Sequence, residues 1–241
     1  PTSSPRKPAA VLEQNELSQT QTTEAEMPTW DELFTRKKFR WRNAHQAVVE
    51  FVPALRSAGV RRMFDLGCGT GRHTIFMASQ GFDVWACDIS PRGLTHTRRW
   101  LAAEGLSAHL TCSDMSALPH RDGSFDGLVS TFVIYHGLLA DVQRTVDEIH
   151  RVLRPGSLAL LTLISTRASS YRQGREVEPD TFIRGSGNDS GVLHHYFDED
   201  GARRLLSDFE ILALHLEESD TTEKSGSTHH HAHWHVQVRH P

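Results

Sequence analysis

The sequence predicts an α/β fold built on a mostly parallel sheet, because short apolar strands alternate with amphipathic helices over most of the chain. A second indication is the run of glycines from Gly67 to Gly71, which follows the first predicted strand and precedes a helix. Alternation of this kind produces a sheet with helices on both faces. A composition of 38% hydrophobic and 23% charged residues in 241 residues fits one such domain and excludes small disulfide scaffolds.

Each central element has its own local signal. Apolar runs bounded by turn residues predict strands, and apolar residues at helical spacing predict the helices between them. Ser90 and Pro91 are typical of an N-cap and a first helical position, so they predict a helix over 91–103. The predicted strands are 61–66, 82–88, 109–112, 125–132 and 157–164, and the other predicted helices are 73–80 and 139–153.

The N-terminal part divides into a tail and a helical segment. Residues 1–28 are polar and contain no aromatic residue, which predicts a disordered or loosely docked tail. Residues 29–241 are predicted to form a single domain, in which 29–59 supplies two cap helices before the sheet.

The pattern of strands and helices lapses over 165–197, a stretch longer than most connections in compact domains. Its aromatic residues favour a lid or substrate insertion over a disordered loop. After it, the sequence predicts a helix over 198–207, a strand over 209–216, a polar loop over 217–230 and a last, returning strand over 231–239.

Charge and cysteine content narrow the classes of partner. With 26 Lys and Arg against 30 Asp and Glu, the formal net charge is −4, so nucleic acid is a disfavoured partner. No run approaches the roughly 20 apolar residues of a membrane span, so no membrane partner is expected. Cys68, Cys87 and Cys112 lie in apolar stretches without CxxC spacing, which predicts buried thiols and a cytoplasmic location.

The glycine run indicates a ligand. Glycines at a strand-to-helix turn let the backbone approach a ligand closely, and the following helix presents free N–H groups and a partial positive charge. A dinucleotide fingerprint counted from Gly67 needs its third glycine where the chain has Arg72, so a nicotinamide dinucleotide is disfavoured.

With Asp65 two residues before the GxGxG run, this segment resembles the first motif of the class I S-adenosylmethionine-dependent methyltransferases. Later segments resemble the family's further motifs in order: Ser113-Asp114-Met115, 125–132, and the turn 153–157. The resemblance implies a Rossmann-like seven-stranded, mostly parallel sheet with an antiparallel last strand and the order 3-2-1-4-5-7-6. It also implies S-adenosylmethionine as the cofactor and S-adenosylhomocysteine as its product.

The resemblance also implies the cofactor site. In the family's pattern Asp65 orients the ammonium of the cofactor, Asp88 binds the ribose hydroxyls, and Asp114 contacts the adenine amino group. The cofactor-binding residues it implies are Asp65, Gly67, Cys68, Gly69, Gly71, Asp88, Ile89, Asp114, Met115 and Thr131.

The predicted topology indicates which of the 16 histidines would lie near the acceptor of the methyl group. Ligands of open α/β sheets bind beyond the carboxyl ends of the parallel strands, where His136 and the start of the returning strand are expected. Along that strand, alternation places His229, His231, His233 and His235 on one face. The predicted catalytic residues are His136, His231 and His233, and the predicted substrate-binding residues are Trp30, Phe34, Tyr135, His194 and His195.

Three interpretations of the histidine run stay open: a solvated loop, a wall that orients substrate or takes part in catalysis, and a metal site. No metal site is assigned, because no carboxylate partner is evident from the sequence. We expect a methyltransferase for a small-molecule acceptor whose methylated atom is O, N, S or a metalloid. The alternatives are a metal-binding or regulatory protein on the same scaffold and a protein or RNA methyltransferase, and both monomer and dimer remain open.

Overall fold

A computed structural model describes residues 27–36, 39–222 and 226–241. The tail predicted over 1–28 therefore falls almost entirely outside the described residues. The strands are β1 (Arg62–Leu66), β2 (Asp83–Asp88), β3 (His109–Cys112), β4 (Phe125–Ser130), β5 (Leu153–Ile164), β6 (Gly174–Glu178), β7 (Thr181–Arg184), β8 (Leu193–His195), β9 (Glu210–Thr222) and β10 (Thr228–Arg239). The helices are α1 (Trp30–Leu33), α2 (Gln46–Ser57), α3 (Arg72–Ser79), α4 (Pro91–Ala103), α5 (Leu139–Val152) and α6 (Glu199–Leu205).

A seven-stranded sheet with the order β3-β2-β1-β4-β5-β10-β9 forms the centre of the fold. The first five strands in this order are parallel, whereas β10 runs antiparallel to both β5 and β9. This confirms the predicted fold class and strand order, with β9 and β10 as the sixth and seventh strands of the sheet. The carboxyl ends of β1, β2 and β4 consequently meet at one edge, where ligands of such sheets bind.

Helix α4 shows how local sequence sets an element's start. The Ser90 side chain accepts a hydrogen bond from the Gly93 N–H, and Pro91 occupies the first helical position. This satisfies one of the N–H groups that have no partner within the helix. The predicted range of 91–103 is confirmed at both ends.

Two segments differ from the sequence prediction. A separate three-stranded antiparallel sheet, β6-β7-β8, forms within 165–197, where no strand was predicted. The polar loop predicted over 217–230 is wrong, because β9 extends to Thr222 and β10 already begins at Thr228. These strands continue as a largely exposed hairpin, in which backbone pairing needs no apolar alternation and Thr favours extended structure.

The sheet is buried on both faces by separate groups of apolar side chains. On one face, the Phe64 ring stacks on Phe125 with centroids 4.4 Å apart. Cys68 and Cys87 are buried free thiols as predicted, but Cys112 is exposed because it ends the edge strand β3. Among the described residues, no helix has both the length and the apolar character needed to cross a membrane.

Phe64→Ala should destabilise the fold by about 3–5 kcal/mol, since it removes a fully buried ring and leaves a cavity. Leu212→Ala, an exposed position on the edge strand β9, is the control and should change stability by less than about 0.5 kcal/mol. Urea unfolding followed by circular dichroism measures both, and equal losses would contradict the assignment of Phe64 to the core.

Candidate cofactor and acceptor site

The turn between β1 and α3 has the backbone of a ligand cradle. Gly67, Gly69 and Gly71 adopt φ angles of 71°, 53° and 97°, in the left-handed region that glycine enters without strain. A Cβ atom at Gly67 would lie 2.3 Å from Val133 Cγ1, so a side chain does not fit there. No side chain caps the start of α3, which leaves its first N–H groups facing the turn.

Two buried carboxylates flank this turn. Asp65 accepts a hydrogen bond of 2.6 Å from Thr74 Oγ1, and burial raises its pKa to about 7. Asp88 accepts hydrogen bonds from the N–H groups of Gly69 at 2.7 Å and Ser90 at 2.9 Å, and burial raises its pKa also. Carboxylates are rarely buried without a compensating partner, so a ligand with an ammonium and hydroxyl groups would complete this site.

The other predicted cofactor residues lie around the same edge. Ile89 and Asp114 follow the adjacent strands β2 and β3 and are exposed, whereas Cys68 is buried within the turn. Thr131 is buried after β4, with its Oγ1 3.1 Å from His73 Nδ1. Met115 packs against the main core. The structure therefore brings the predicted set together at the carboxyl ends of β1 to β4.

The segment that contains α1 is fastened beside the glycine turn. The Asp31 carboxylate accepts hydrogen bonds from Ser90 Oγ at 2.6 Å and from the Arg92 N–H at 2.8 Å, and the Ser90 bond is the main reason for its lowered pKa. A Cβ atom at Gly69 would lie 3.1 Å from Phe34 Cζ, which places the Phe34 ring directly against the turn. This segment is a cover over the turn, and Asp31, which anchors it, was not among the residues predicted.

Aromatic and histidine rings gather next to this cover. The centroid of the His136 ring lies 4.8 Å from Trp30, 4.5 Å from Tyr135 and 4.5 Å from His194. The Nε2 of His136 lies 3.2 Å from the Phe132 carbonyl oxygen, and burial holds the pKa of His136 well below its usual range. Four of the predicted site residues thus meet in one group.

The same group extends to the sheet through Phe132 and His233. Phe132 follows β4 with a φ of 61°, an unusual value for a residue with a side chain. Its ring lies 4.9 Å from His233, which in turn lies 6.1 Å from Tyr135. We call Trp30, Phe132, Tyr135, His136, His194 and His233 the ring cluster.

Three predicted histidines already have polar partners. His194 Nε2 lies 2.9 Å from Asp189 Oδ2, and its Nδ1 lies 3.1 Å from the Val192 carbonyl oxygen. His195 Nδ1 lies 2.6 Å from Thr181 Oγ1. His231 is exposed on the hairpin, with its Nε2 2.8 Å from Thr221 Oγ1, and it has no ring contact with the cluster among the described residues.

Sequence reasoning missed His45 and Asp189 as well as Asp31. His45 is the N-cap of α2, and its backbone N–H donates to His73 Nε2 at 3.2 Å, which links the helix to the glycine turn. Asp189 lies in the insertion and also binds Arg184 at 2.8 Å. Neither residue lies in a recognisable motif, and both reach the site only through long-range packing.

Comparison with known proteins identifies the domain that contains the site. A family model described as "Methyltransferase domain" matches residues 63–156, the segment that contains the glycine turn, both buried carboxylates and the end of β4. This match supports a class I S-adenosylmethionine-dependent methyltransferase. The match also confirms the resemblance found in the sequence motifs.

Similar proteins include curated methyltransferases and a solved structure. The chain is 32% identical over 133 residues to a malonyl-[acyl-carrier protein] O-methyltransferase of Enterobacter lignolyticus, covering 55% of this chain and 49% of that protein. It is 34% identical over 98 residues to a demethylmenaquinone methyltransferase of Thermus thermophilus, covering 40% and 44%. A crystal structure of a Methanosarcina mazei S-adenosylmethionine-dependent methyltransferase superposes with a TM-score of 0.67 at 20% identity, covering 82% of this chain and 98% of that one. The methyltransferase chain thus spans about half the length of these two curated relatives.

The cofactor of this family is S-adenosylmethionine, and the residues of the turn fit it. Asp65 would face the ammonium and Asp88 the ribose hydroxyls, while the glycine backbone leaves room for close approach. Ser113 Oγ is buried without a hydrogen-bond partner among the described residues, which leaves a polar atom available near Asp114. These features are those that a polar, cationic cofactor requires.

Asp65→Asn should remove a pH-dependent loss of folding stability in the protein without cofactor. Between its ordinary pKa of 3.8 and about 7, the folded protein keeps this proton while the unfolded chain releases it, so stability falls as pH rises through this range. The variant should therefore gain thermal stability relative to the parent as pH rises from 4 to 8, which calorimetry measures.

The same variant should bind S-adenosylmethionine at least about tenfold more weakly, because one charge-assisted contact is lost. Asp147→Asn, an exposed carboxylate on α5 outside the site, is the control for removing a single acid. If the thermal stabilities of Asp65→Asn and the parent protein changed in parallel between pH 4 and 8, burial would not be what raises the pKa of Asp65.

Asp31→Ala should loosen the cover without removing any atom of the glycine turn, and so weaken cofactor binding about three- to tenfold. Titration calorimetry with S-adenosylhomocysteine measures the change. Asp147→Ala, an exposed acid on α5, should leave the affinity unchanged. Unaltered affinity in Asp31→Ala would show that the cover takes no part in binding.

Proposed function

We propose that this protein transfers the methyl group of S-adenosylmethionine to a small-molecule acceptor held against the ring cluster. The observation that carries the proposal is the meeting of Trp30, Tyr135, His136 and His233 beside the turn that holds the cofactor. Rings of this kind supply a large apolar contact area together with a few polar atoms that orient a ligand.

A small acceptor is favoured by how the site is covered. The N-terminal segment and the insertion meet each other, since Leu33 and Phe34 pack with Val192 and Arg36 donates to the Asn188 carbonyl oxygen at 3.2 Å. A site that both of these segments cover can enclose a small molecule. The formal net charge of −4 also does not favour a polyanionic acceptor.

When bound, the cofactor supplies an electrophilic methyl group on a sulfonium. The protein's own contribution is then to hold the acceptor atom in line and to exclude water, which accounts for a large part of the acceleration in such displacements. Trp30 and Phe34 cover the glycine turn against water, since their rings pack on each other and Phe34 lies against Gly69.

His136 and His233 act on the acceptor as neutral rings. Burial lowers the pKa of both, to about 3 for His233, so neither carries a charge at neutral pH. A ring with so low a pKa is a weak base, and it is better suited to orienting an acceptor by a hydrogen bond than to removing a proton. The backbone of His233 is paired within the sheet, but its ring makes no hydrogen bond within the described residues, so the ring nitrogens are available for this purpose.

The acceptor that this site favours is planar and already nucleophilic at neutral pH. A flat, conjugated molecule can stack among the rings, and an ionised oxygen or sulfur needs no strong base. The three free thiols favour a reducing compartment, so we place the protein in the cytoplasm.

The test is a screen for S-adenosylhomocysteine formation with phenols, carboxylic acids and thiols as acceptors, alongside transfer RNA and protein substrates. Turnover of a planar small molecule supports the proposal. Turnover confined to RNA or protein, or cofactor binding without turnover of any acceptor, would overturn it.

For the best acceptor found, His233→Ala should lower kcat/KM about 10- to 100-fold while the affinity for S-adenosylhomocysteine stays the same, because only positioning of the acceptor is lost. His109→Ala is the matched control, since this exposed histidine lies on the edge strand β3 and stacks on Trp85. Steady-state kinetics with calorimetry separates the two effects, and an equal loss in both variants would argue against the role of His233.

A further inference from the structure

Two histidines and a glutamate from three segments meet on the face of the sheet that carries His233. His45 is the N-cap of α2, Glu217 lies on β9 and His235 lies on β10. In the antiparallel pairing Glu217 is opposite His233 and His215 is opposite His235. Glu217 and His235 are therefore diagonal neighbours on one face, a spacing that long side chains can bridge.

The potential ligand atoms of these three residues lie close together. One ligand atom from each of the three lies within 4.8 Å of the others. Glu217 Oε2 is 2.8 Å from His235 Nε2 and 3.7 Å from His45 Nε2. The rings of His45 and His235 stack with centroids 5.0 Å apart and planes 12° apart, so both face the carboxylate side by side.

Ordinary hydrogen bonding does not account for this arrangement. His235 is 6% exposed, and neither of its ring nitrogens makes a hydrogen bond within the part of the chain that is described. Its 2.8 Å approach to Glu217 is thus close in distance but lacks hydrogen-bond geometry. Buried polar atoms without a partner are costly, so an occupant that accepts the lone pair of His235 Nε2 would satisfy one of the two ring nitrogens.

His45 has only one nitrogen left for such an occupant. Its Nδ1 accepts a long hydrogen bond of 3.3 Å from the Ala47 N–H, and its Nε2 faces Glu217; coordination through Nε2 moves the ring proton to Nδ1 and replaces that hydrogen bond. Neutral imidazoles with a carboxylate are a common donor set for transition metals.

We propose that His45, Glu217 and His235 bind a divalent transition-metal ion, for which Zn²⁺ is the best match. Two imidazoles and one carboxylate at bond lengths of about 2.0–2.2 Å form three sides of a tetrahedral zinc site and leave the fourth position for water. Two of the three separations, 2.8 and 3.7 Å, bracket the roughly 3.3 Å between ligand atoms of such a site, and the third is within 4.8 Å. Binding of the ion would draw the two histidine nitrogens towards this spacing.

The site is accessible and adjoins the ring cluster. The side chains of Glu217 and His45 are 46% and 20% exposed, so an ion can enter from solvent. The Phe132 ring lies 5.1 Å from His45 and 6.0 Å from His235, which puts the metal site one ring away from the proposed acceptor. Metal binding does not depend on methyl transfer, so the two proposals can fail separately.

The test uses the 241-residue chain without an added histidine tag, stripped of metal and titrated with Zn²⁺ by calorimetry. Wild-type protein should bind one ion at this site and should show the visible absorption of a low-coordinate site when Co²⁺ replaces Zn²⁺. Glu217→Gln keeps the shape of the side chain, and His45→Asn keeps a residue that can cap α2. Each should weaken the site at least about tenfold and reduce the Co²⁺ absorption.

The control addresses the other histidines of the hairpin. His230 lies 2.7 Å from Asp220 and 3.2 Å from Glu218, so it offers a competing surface site. The double variant His230→Ala and Glu218→Gln should retain the affinity and spectrum of the wild type. Absence of Zn²⁺ binding, unchanged affinity in Glu217→Gln, or loss of binding only in the control variant would overturn the proposal.

Discussion

The contact on which the site depends is the one between the Asp88 carboxylate and the backbone of the glycine turn. By accepting hydrogen bonds from the Gly69 and Ser90 N–H groups, Asp88 joins the end of β2 to the turn after β1 and to the start of α4. The Gly67 and Cys68 N–H groups, which both donate to the Cys87 carbonyl oxygen at 2.9 Å, hold the same turn from the other side. This arrangement sets the position of α3 and the surface on which the N-terminal cover packs.

The segment that contains α1 contacts both the glycine turn and the ring cluster. Asp31 is fixed to the start of α4, Phe34 lies on the glycine turn, and Trp30 reaches the ring of His136. Because α1 has only four residues, it cannot be a stable helix by itself, and its conformation depends on these contacts. A cofactor that stabilised this cover at the turn would therefore also order the wall of the proposed acceptor site.

The predictable part of the structure is the part encoded in short, local patterns. The range of α4 follows from Ser90, Pro91 and helical spacing, and the cofactor turn follows from its glycines and Asp65. The exposed hairpin could not be predicted, because its strands pair through the backbone and bury few side chains near Thr222 and Thr228. The sheet within 165–197 escaped prediction because its aromatic residues show no regular alternation. Contacts between distant segments, such as those of Asp189 with His194, cannot be derived from a single sequence.

The proposed metal site also depends on contacts between distant segments that could not be derived from the sequence. His235 belongs to the alternating histidines that were visible in the sequence, but His45 comes from the start of α2 and Glu217 from a segment predicted to be a loop. Once β9 continues through Glu217, the antiparallel register sets that residue opposite His233 and diagonal to His235. The ring nitrogens of His235 have no hydrogen-bond partner within the described residues, and Asp65 is buried with a raised pKa despite its hydrogen bond from Thr74, so both lower the stability of the ligand-free fold. An apolar residue at either place would avoid this cost, which supports the proposal that both side chains serve ligand binding.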